Sequence, residues 1–187
     1  PALMAYEGIT APVFYMALCL GISQATSVDL VPSAVKTLSW APSPVSVFLL
    51  FLVFDLLMWH IHWLQHKWRA LYKATHYWHH TIASPTMLVA LTGHLPDTCL
   101  LILVPLHATL FIVSRANVAD VFLFAGLALL HLHMIHSEFY HPWDAALRAL
   151  GLVDTTAHHG HHLRPRTNLA HFFVGIDKLY GTFFDAA

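Results

Sequence analysis

Histidine gathers in this chain at the spacings of a helix face. The clusters are His62-x-x-x-His66, His76-x-x-His79-His80, a looser group of His131, His133, His136 and His141, and His158-His159-x-His161-His162. Residues three and four apart share one side of a helix. Neutral imidazole is the commonest metal ligand near pH 7 and suits iron, zinc, copper and nickel. A stripe of imidazoles at a helix end adds nothing to packing. Two His-x-x-His-His helices, one His-x-x-x-His helix and one or two further histidines supply roughly nine or ten ligands, enough for two metal ions.

The surroundings of these clusters are apolar. Hydrophobic residues make up 57% of the chain and charged ones 10%, with a mean hydropathy of +0.60. Soluble domains carry about 25% charged residues, so most of this chain belongs in lipid. Its 187 residues read as a single membrane domain, 1–187. A net charge of −1 gives no ground for a nucleic-acid partner. Cys19 and Cys99 lie in apolar segments and read as small core residues, not as a disulfide or a zinc site. Pro1 stands where a methionine would, and no basic n-region follows, which predicts a natural protein that begins further upstream.

A bilayer core of about 30 Å takes about 20 apolar helical residues. Four spans are predicted, at 12–31, 45–61, 97–113 and 118–135. Ser43 caps the second, and Pro44 suits its first position. Pro105 predicts a kink in the third. Ser114 to Asn117 close a tight hairpin between the last two. With four spans, Lys67, Arg69, Lys73, Arg148, Arg164, Arg166 and Lys178 share one side, against Lys36 and Arg115. Basic residues mark the cytoplasmic side, so segments 62–96 and 136–187 are cytoplasmic in this reading. Every dense histidine cluster falls on that same face. Pro142 to Gly151 predicts a short amphipathic helix, and Asp154 to Thr156 cap a further one that carries His158 to His162. Phe172 to Phe184 reads as interfacial. The expected fold is an all-α integral membrane bundle with a cytoplasmic helical cap holding a histidine-rich dinuclear site.

Other chemistries are excluded by missing residues. Ferritin-like di-iron sites need four glutamates, and the chain has only Glu7 and Glu138. It has no His-Glu-x-x-His for a metalloprotease, no Gly-x-Ser-x-Gly for a serine hydrolase and no Gly-rich phosphate loop.

The text around the histidines resembles the fatty acid hydroxylase / sterol desaturase superfamily of membrane di-iron oxygenases. The matching stretches are Asp55 to His66, Leu71 to His80, Gly93-His94-Leu-Pro96, His136-Ser137, His158 to His162, Asn168-Leu-Ala-His171 and Asp177-Lys-Leu-Tyr-Gly181-Thr182. They cover about residues 45–184. The resemblance implies two iron ions that use O2 as co-substrate to hydroxylate or desaturate a membrane lipid such as a fatty acyl chain or sterol. It implies electrons from a cytochrome-b-type carrier or a reductase. It places the protein in the endoplasmic reticulum membrane of a eukaryote or the inner membrane of a bacterium. Zinc can substitute, because imidazole sites take it up readily.

Carried over by motif, the ligands are His62, His66, His76, His79, His80, His136, His158, His161 and His162. Some relatives have a second middle histidine four residues after the first; here that position is Tyr140. His141 beside it is the tenth ligand in this reading, with His133 as the alternative. Trp63 replaces a frequent arginine, and Leu169-Ala170 a more usual Tyr-Gly. His94, His133, His159, His171 and Asp55 are expected to support the ligands from behind. His60, His107 and His131 read as non-ligands. No catalytic group is expected beyond the ligands themselves. Two other classes compete: an inactive member that binds lipid or scaffolds a complex, and a divalent-metal transporter, whose ligands would lie near the bilayer midplane.

Overall fold

The computed structural model describes residues 2–26, 28–82, 85–87, 90 and 95–185, with the side chains of 2–9 and 11 left aside. It is all-helical: among the described residues, the one extended pairing is a single bridge, Leu152 to Phe173. The elements are α1 (Ala2–Thr26), α2 (Ser33–Lys36), α3 (Pro44–Lys67), α4 (Arg69–Ala74), α5 (Tyr77–His80), α6 (Leu95–Asp97), α7 (Val104–Ile112), α8 (Val118–Ile135), α9 (Asp144–Ala149), α10 (Thr155–Leu163) and α11 (Val174–Tyr180).

Among the described residues, three helical stretches are long and apolar enough to cross a bilayer: Pro44–Lys67, Leu95–Ile112 and Val118–Ile135. The apolar stretch of α1, Pro12–Thr26, is shorter, and the helix stops before the 31 expected from hydropathy. α3 begins as its sequence predicts: the Ser43 side chain accepts from the Ser46 N–H, and Pro44 sits at the first turn. It then runs six residues past the predicted end at 61. Twenty-four residues at about 1.5 Å each reach roughly 36 Å, longer than a bilayer core of about 30 Å. Measured from Pro44, the last turn, with His66, therefore projects past such a layer and His62 lies near its edge.

The third stretch absorbs its proline without a break. Thr98–Leu103, between α6 and α7, winds as a π-helix, and the Val104 N–H bonds the Cys99 carbonyl five residues back. Pro105 then follows directly on this turn, so its missing N–H falls where the bonding changes from the π to the α pattern. α8 starts on a capping box: Asn117 accepts from Ala119 and Asp120, and Asp120 accepts from the Asn117 N–H. Ser33 and Thr37 bond to Ser114 and Val118. Lys36 and Arg115 thus share the end of the bundle opposite the histidines.

The core lies between α3, α7 and α8. Leu50, Phe54, Met58, Leu110 and Phe124 are buried in it, while Phe48 and Phe122 face outward. Phe172 enters this core from the C-terminal segment and packs edge-on to Phe51, with ring centroids 5.1 Å apart.

Two buried carboxylates hold that segment in place. Asp55, halfway along α3, accepts from the backbone N–H groups of His171 (2.8 Å), Phe172 (3.1 Å) and Phe173 (2.7 Å). Asp177 accepts from the N–H groups of Leu169 (2.8 Å) and Ala170 (3.0 Å) and from the Trp59 indole at 3.0 Å. Asn168 precedes them in the left-handed region, φ +51°, which asparagine tolerates better than most residues. Its side chain bonds Ala157 and both backbone groups of Phe184.

Replacing Asp55 by alanine leaves three buried N–H groups without an acceptor, each costing about 1–3 kcal/mol. The expected result is a fall of at least about 6 °C in melting temperature. Thermal unfolding of the full chain in detergent, compared with Asp55→Asn, which keeps one acceptor and falls less, checks this.

Candidate metal centre

The histidine boxes converge on one end of the bundle and sort into two groups. His62, His66, His76, His80 and His161 form the first; His79, His136, His158 and His162 form the second. Within each, one ligand nitrogen from every residue lies within 4.8 Å of all the others. The groups share a wall, with the rings of His80 and His162 4.9 Å apart.

Helix geometry explains the sorting. His62 and His66 are one turn apart on α3. His79 and His80 are neighbours on α5, about 100° apart around the axis, so they point into different groups. α10 repeats the pattern: His158 and His162, four apart, serve the second group, and His161 serves the first. Asp154 caps α10 by accepting from Ala157 at 2.8 Å, as its sequence predicts, and Arg148 pairs with Asp154.

In four of the nine rings, the Nδ1 atom faces an oxygen that can only accept. His62 Nδ1 donates to the Leu169 carbonyl (2.9 Å), His161 Nδ1 to the Thr167 carbonyl (2.9 Å) and His136 Nδ1 to the Leu132 carbonyl (2.7 Å). His76 Nδ1 donates to the Asp97 carboxylate, 3.0 Å away. Each proton is thereby fixed on Nδ1, and the Nε2 lone pair is left to face the group. Gln65 donates to both Asp97 (2.8 Å) and Thr75 (2.9 Å) and so braces the Asp97–His76 pair.

The inward nitrogens have the spacing of ligands. Nε2 atoms lie 3.0 Å apart for His62 and His76, and 3.1 Å for His62 and His66, His76 and His80, and His80 and His161. A metal–nitrogen bond of about 2.1 Å places two ligands at a right angle about 3.0 Å apart. Several nitrogens here are buried with no partner among the described residues: Nδ1 of His80 and His158, and both nitrogens of His162. Buried polar atoms are normally satisfied, and a cation in the second group would take up one nitrogen of His162, both of whose nitrogens lack a partner among the described residues. Burial, followed by neighbouring imidazoles, holds these rings neutral: His136 falls from the usual 6.5 to about 4 and His162 to about 3, while His79, His158 and His161 lie well below 6.5. Neutral imidazole is the form that binds metal.

The remaining candidate residues fall elsewhere. His141, expected as a ligand, is in neither group; its ring stacks on Trp143 at 4.9 Å. His133 bonds the Leu129 carbonyl of its own helix. His159 packs beside Tyr140, with ring centroids 6.3 Å apart. Asp55 touches no ligand ring and acts on the 171–173 backbone instead. His171 is buried between the groups, 5.1 Å from the His62 ring and 5.6 Å from the His158 ring. His94 lies outside the described residues. Of the non-ligands, His60 bonds the Leu56 carbonyl, His131 the His171 carbonyl, and His107 packs against Tyr15. Sequence reasoning overlooked Asp97 and Gln65. The signal for Asp97 was present, since an acid at the start of an apolar span needs a partner.

The second group opens toward the membrane-spanning helices. A cavity of about 50 Å³ is lined by Met58, Leu101, Ile102 and Leu132, and by His79, His136 and His171. On the other flank, a pocket of about 510 Å³ beside His66 is lined by Lys67, Arg69, Arg164 and Arg166 and by no carboxylate.

Fold and site together define a helical membrane protein whose clustered imidazoles can bind metal at one rim of the bundle. The family model described as Fatty acid hydroxylase matches residues 47–182, and the chain belongs to that family. Its members are oxidoreductases. Over 116 residues the chain is 37% identical to a protein of Phaeodactylum tricornutum named "Alternative squalene epoxidase", covering 62% of this chain and 33% of that one. It is 28% identical over 191 residues to "Cholesterol 25-hydroxylase-like protein 1, member 2" of Danio rerio, covering 89% of this chain and 66% of that one. The chain thus spans about one third and just under two thirds of these relatives. No solved structure matches it.

Two measurements follow from this geometry. Replacing Asp97 by alanine releases the His76 ring and should weaken metal binding in the five-histidine group by about 10–100-fold, read by competition titration with a chelator. Metal-free protein should also lose stability in acid. Histidines whose folded pKa is depressed bind fewer protons folded than unfolded. Their contribution is complete above about 6.5 and is lost as pH falls through about 4 and about 3, the values for His136 and His162. Melting temperature against pH checks this.

Proposed function

We propose that this chain oxidises a membrane lipid with O2 at a histidine-ligated di-iron centre, by hydroxylation or desaturation. The carrying observation is the pair of adjacent imidazole groups, five and four strong, at the rim of an apolar bundle. Nitrogen spacings near 3.0 Å suit right-angle coordination, whereas tetrahedral zinc would set its ligands about 3.4 Å apart. Iron in that position supplies O2 activation and the removal of hydrogen from an unactivated C–H bond.

The chain's own residues prepare that chemistry. Leu169, Thr167, Leu132 and Asp97 keep protons on Nδ1 and the Nε2 atoms free. Met58, Leu101, Ile102 and Leu132 form the apolar part of the cavity at the second group, beside Thr98. Asp97, the one carboxylate lining it, is engaged by His76 and Gln65. The apolar part of that lining suits the hydrocarbon end of a lipid. The names of the two relatives favour squalene or a sterol over a fatty acyl chain, and with an alkene substrate the same centre would give an epoxide.

The cationic pocket beside His66 supports docking of an acidic electron carrier, of cytochrome-b type or a reductase. The bias of basic residues supports a cytoplasmic position for this rim, in the endoplasmic reticulum of a eukaryote or the inner membrane of a bacterium.

The test is turnover of iron-loaded full chain in nanodiscs with a reductase, 18O2 and squalene, sterol or acyl lipid. Expected is an 18O-labelled alcohol or epoxide, or a product two hydrogens lighter. Iron-replete protein that yields neither with any of the three sinks the reading and leaves lipid binding. Leu101→Trp, which fills the cavity, should lower kcat/KM by at least about tenfold with iron content unchanged.

A further inference from the structure

Resting on the reading of both groups as metal sites, we propose that His171 supplies the tenth nitrogen of the centre and completes the four-histidine group. Its ring lies 5.6 Å from that of His158. Spacings inside the group itself reach 6.5 Å for His79 and His158 and 6.0 Å for His136 and His162. His171 also lines the small cavity that His79 and His136 line. It therefore contacts His158 and borders a cavity shared with His79 and His136, while on its other side the ring lies 5.1 Å from His62 of the five-histidine group.

His171 has the features of a ligand held in place from behind. It is 4% exposed, and its Nδ1 is buried with no protein partner, like the nitrogens of His158 and His162. Its backbone is fixed on both sides: the N–H donates to Asp55, and the carbonyl accepts from His131 Nε2 at 3.0 Å. Phe172, in the core, anchors the next residue. These contacts define the position of a ring whose Nδ1 has no partner among the described residues.

The rival donors are directed elsewhere. Tyr140 is 70% exposed, the His141 ring stacks on Trp143, and His133 belongs to neither group. The helix-spacing rule could not find His171, because it lies on an irregular segment nine residues beyond His162 with no histidine three or four away.

The experiment loads full-length wild-type protein, His171→Phe, His171→Ala and His141→Ala in detergent with iron-57. It reads iron per chain, chelator competition and Mössbauer doublets. Wild type without bound iron would defeat the di-iron reading itself. Given two irons in wild type, His171→Phe should weaken one by at least about tenfold and shift one doublet, leaving the other unchanged. Millimolar imidazole should restore that site in His171→Ala but not in His171→Phe, which separates a lost nitrogen from a lost fold. His141→Ala should behave as wild type. Two unaltered doublets and wild-type affinities in His171→Phe would overturn the assignment, as would loss of one iron in His141→Ala alone. If His171→Phe does not fold, failure of imidazole to restore iron in His171→Ala overturns it equally.

Discussion

The centre depends on two carboxylates that never touch it. Asp55 and Asp177 together accept five backbone N–H groups from residues 169–173 and pin that irregular segment against α3. A segment without helical hydrogen bonds could not otherwise be buried, since its polar groups would go unmet. Once pinned, it presents the Leu169 carbonyl to His62, sends Phe172 into the core and sets His171 between the two imidazole groups. Trp59 ties the same anchor to α3 through its indole, and its ring stacks on Tyr180 of α11, with centroids 4.1 Å apart. Gly181, with φ +70°, ends α11 and turns the chain back so that Thr182 can reach Asp177.

Proton placement on the rings is the second constraint. An imidazole offers one donor and one acceptor, and which nitrogen is which depends on its neighbour. Carbonyls and a carboxylate take the Nδ1 protons of His62, His76, His136 and His161, so these rings cannot turn their donors inward. Enclosure keeps His136 and His161 uncharged. A crowd of buried imidazoles facing one another with lone pairs makes poor structural filler and good ligands.

Much of this was legible in the sequence. Hydropathy and caps marked α3, the α6–α7 stretch and α8, and the three- and four-residue spacings marked nine of the histidines that the structure gathers. Spacing could not tell which of two adjacent histidines enters which group, because that depends on how α5 and α10 are turned toward each other. It was silent about His171 and about the carbonyls behind the rings, which come from irregular backbone and from residues as unremarkable as Leu169. Asp55 was noticed for its cost in lipid, but its partners lie more than a hundred residues away, beyond any local pattern. The tenth position shows the limit of motif reading: His141 is adjacent in sequence to the expected place, yet its ring is carried off onto Trp143.

Because α5 and α10 each send histidines to both groups, the two halves of the centre have no separate scaffolds. An ion held by His76, His80 and His161 orders the same two short helices that present His79, His158 and His162. Binding in one half therefore lowers the entropic cost of binding in the other, and the coupling runs equally in both directions. Two ions held this way would favour each other's binding, so half-filled chains would be scarcer than independent sites would give.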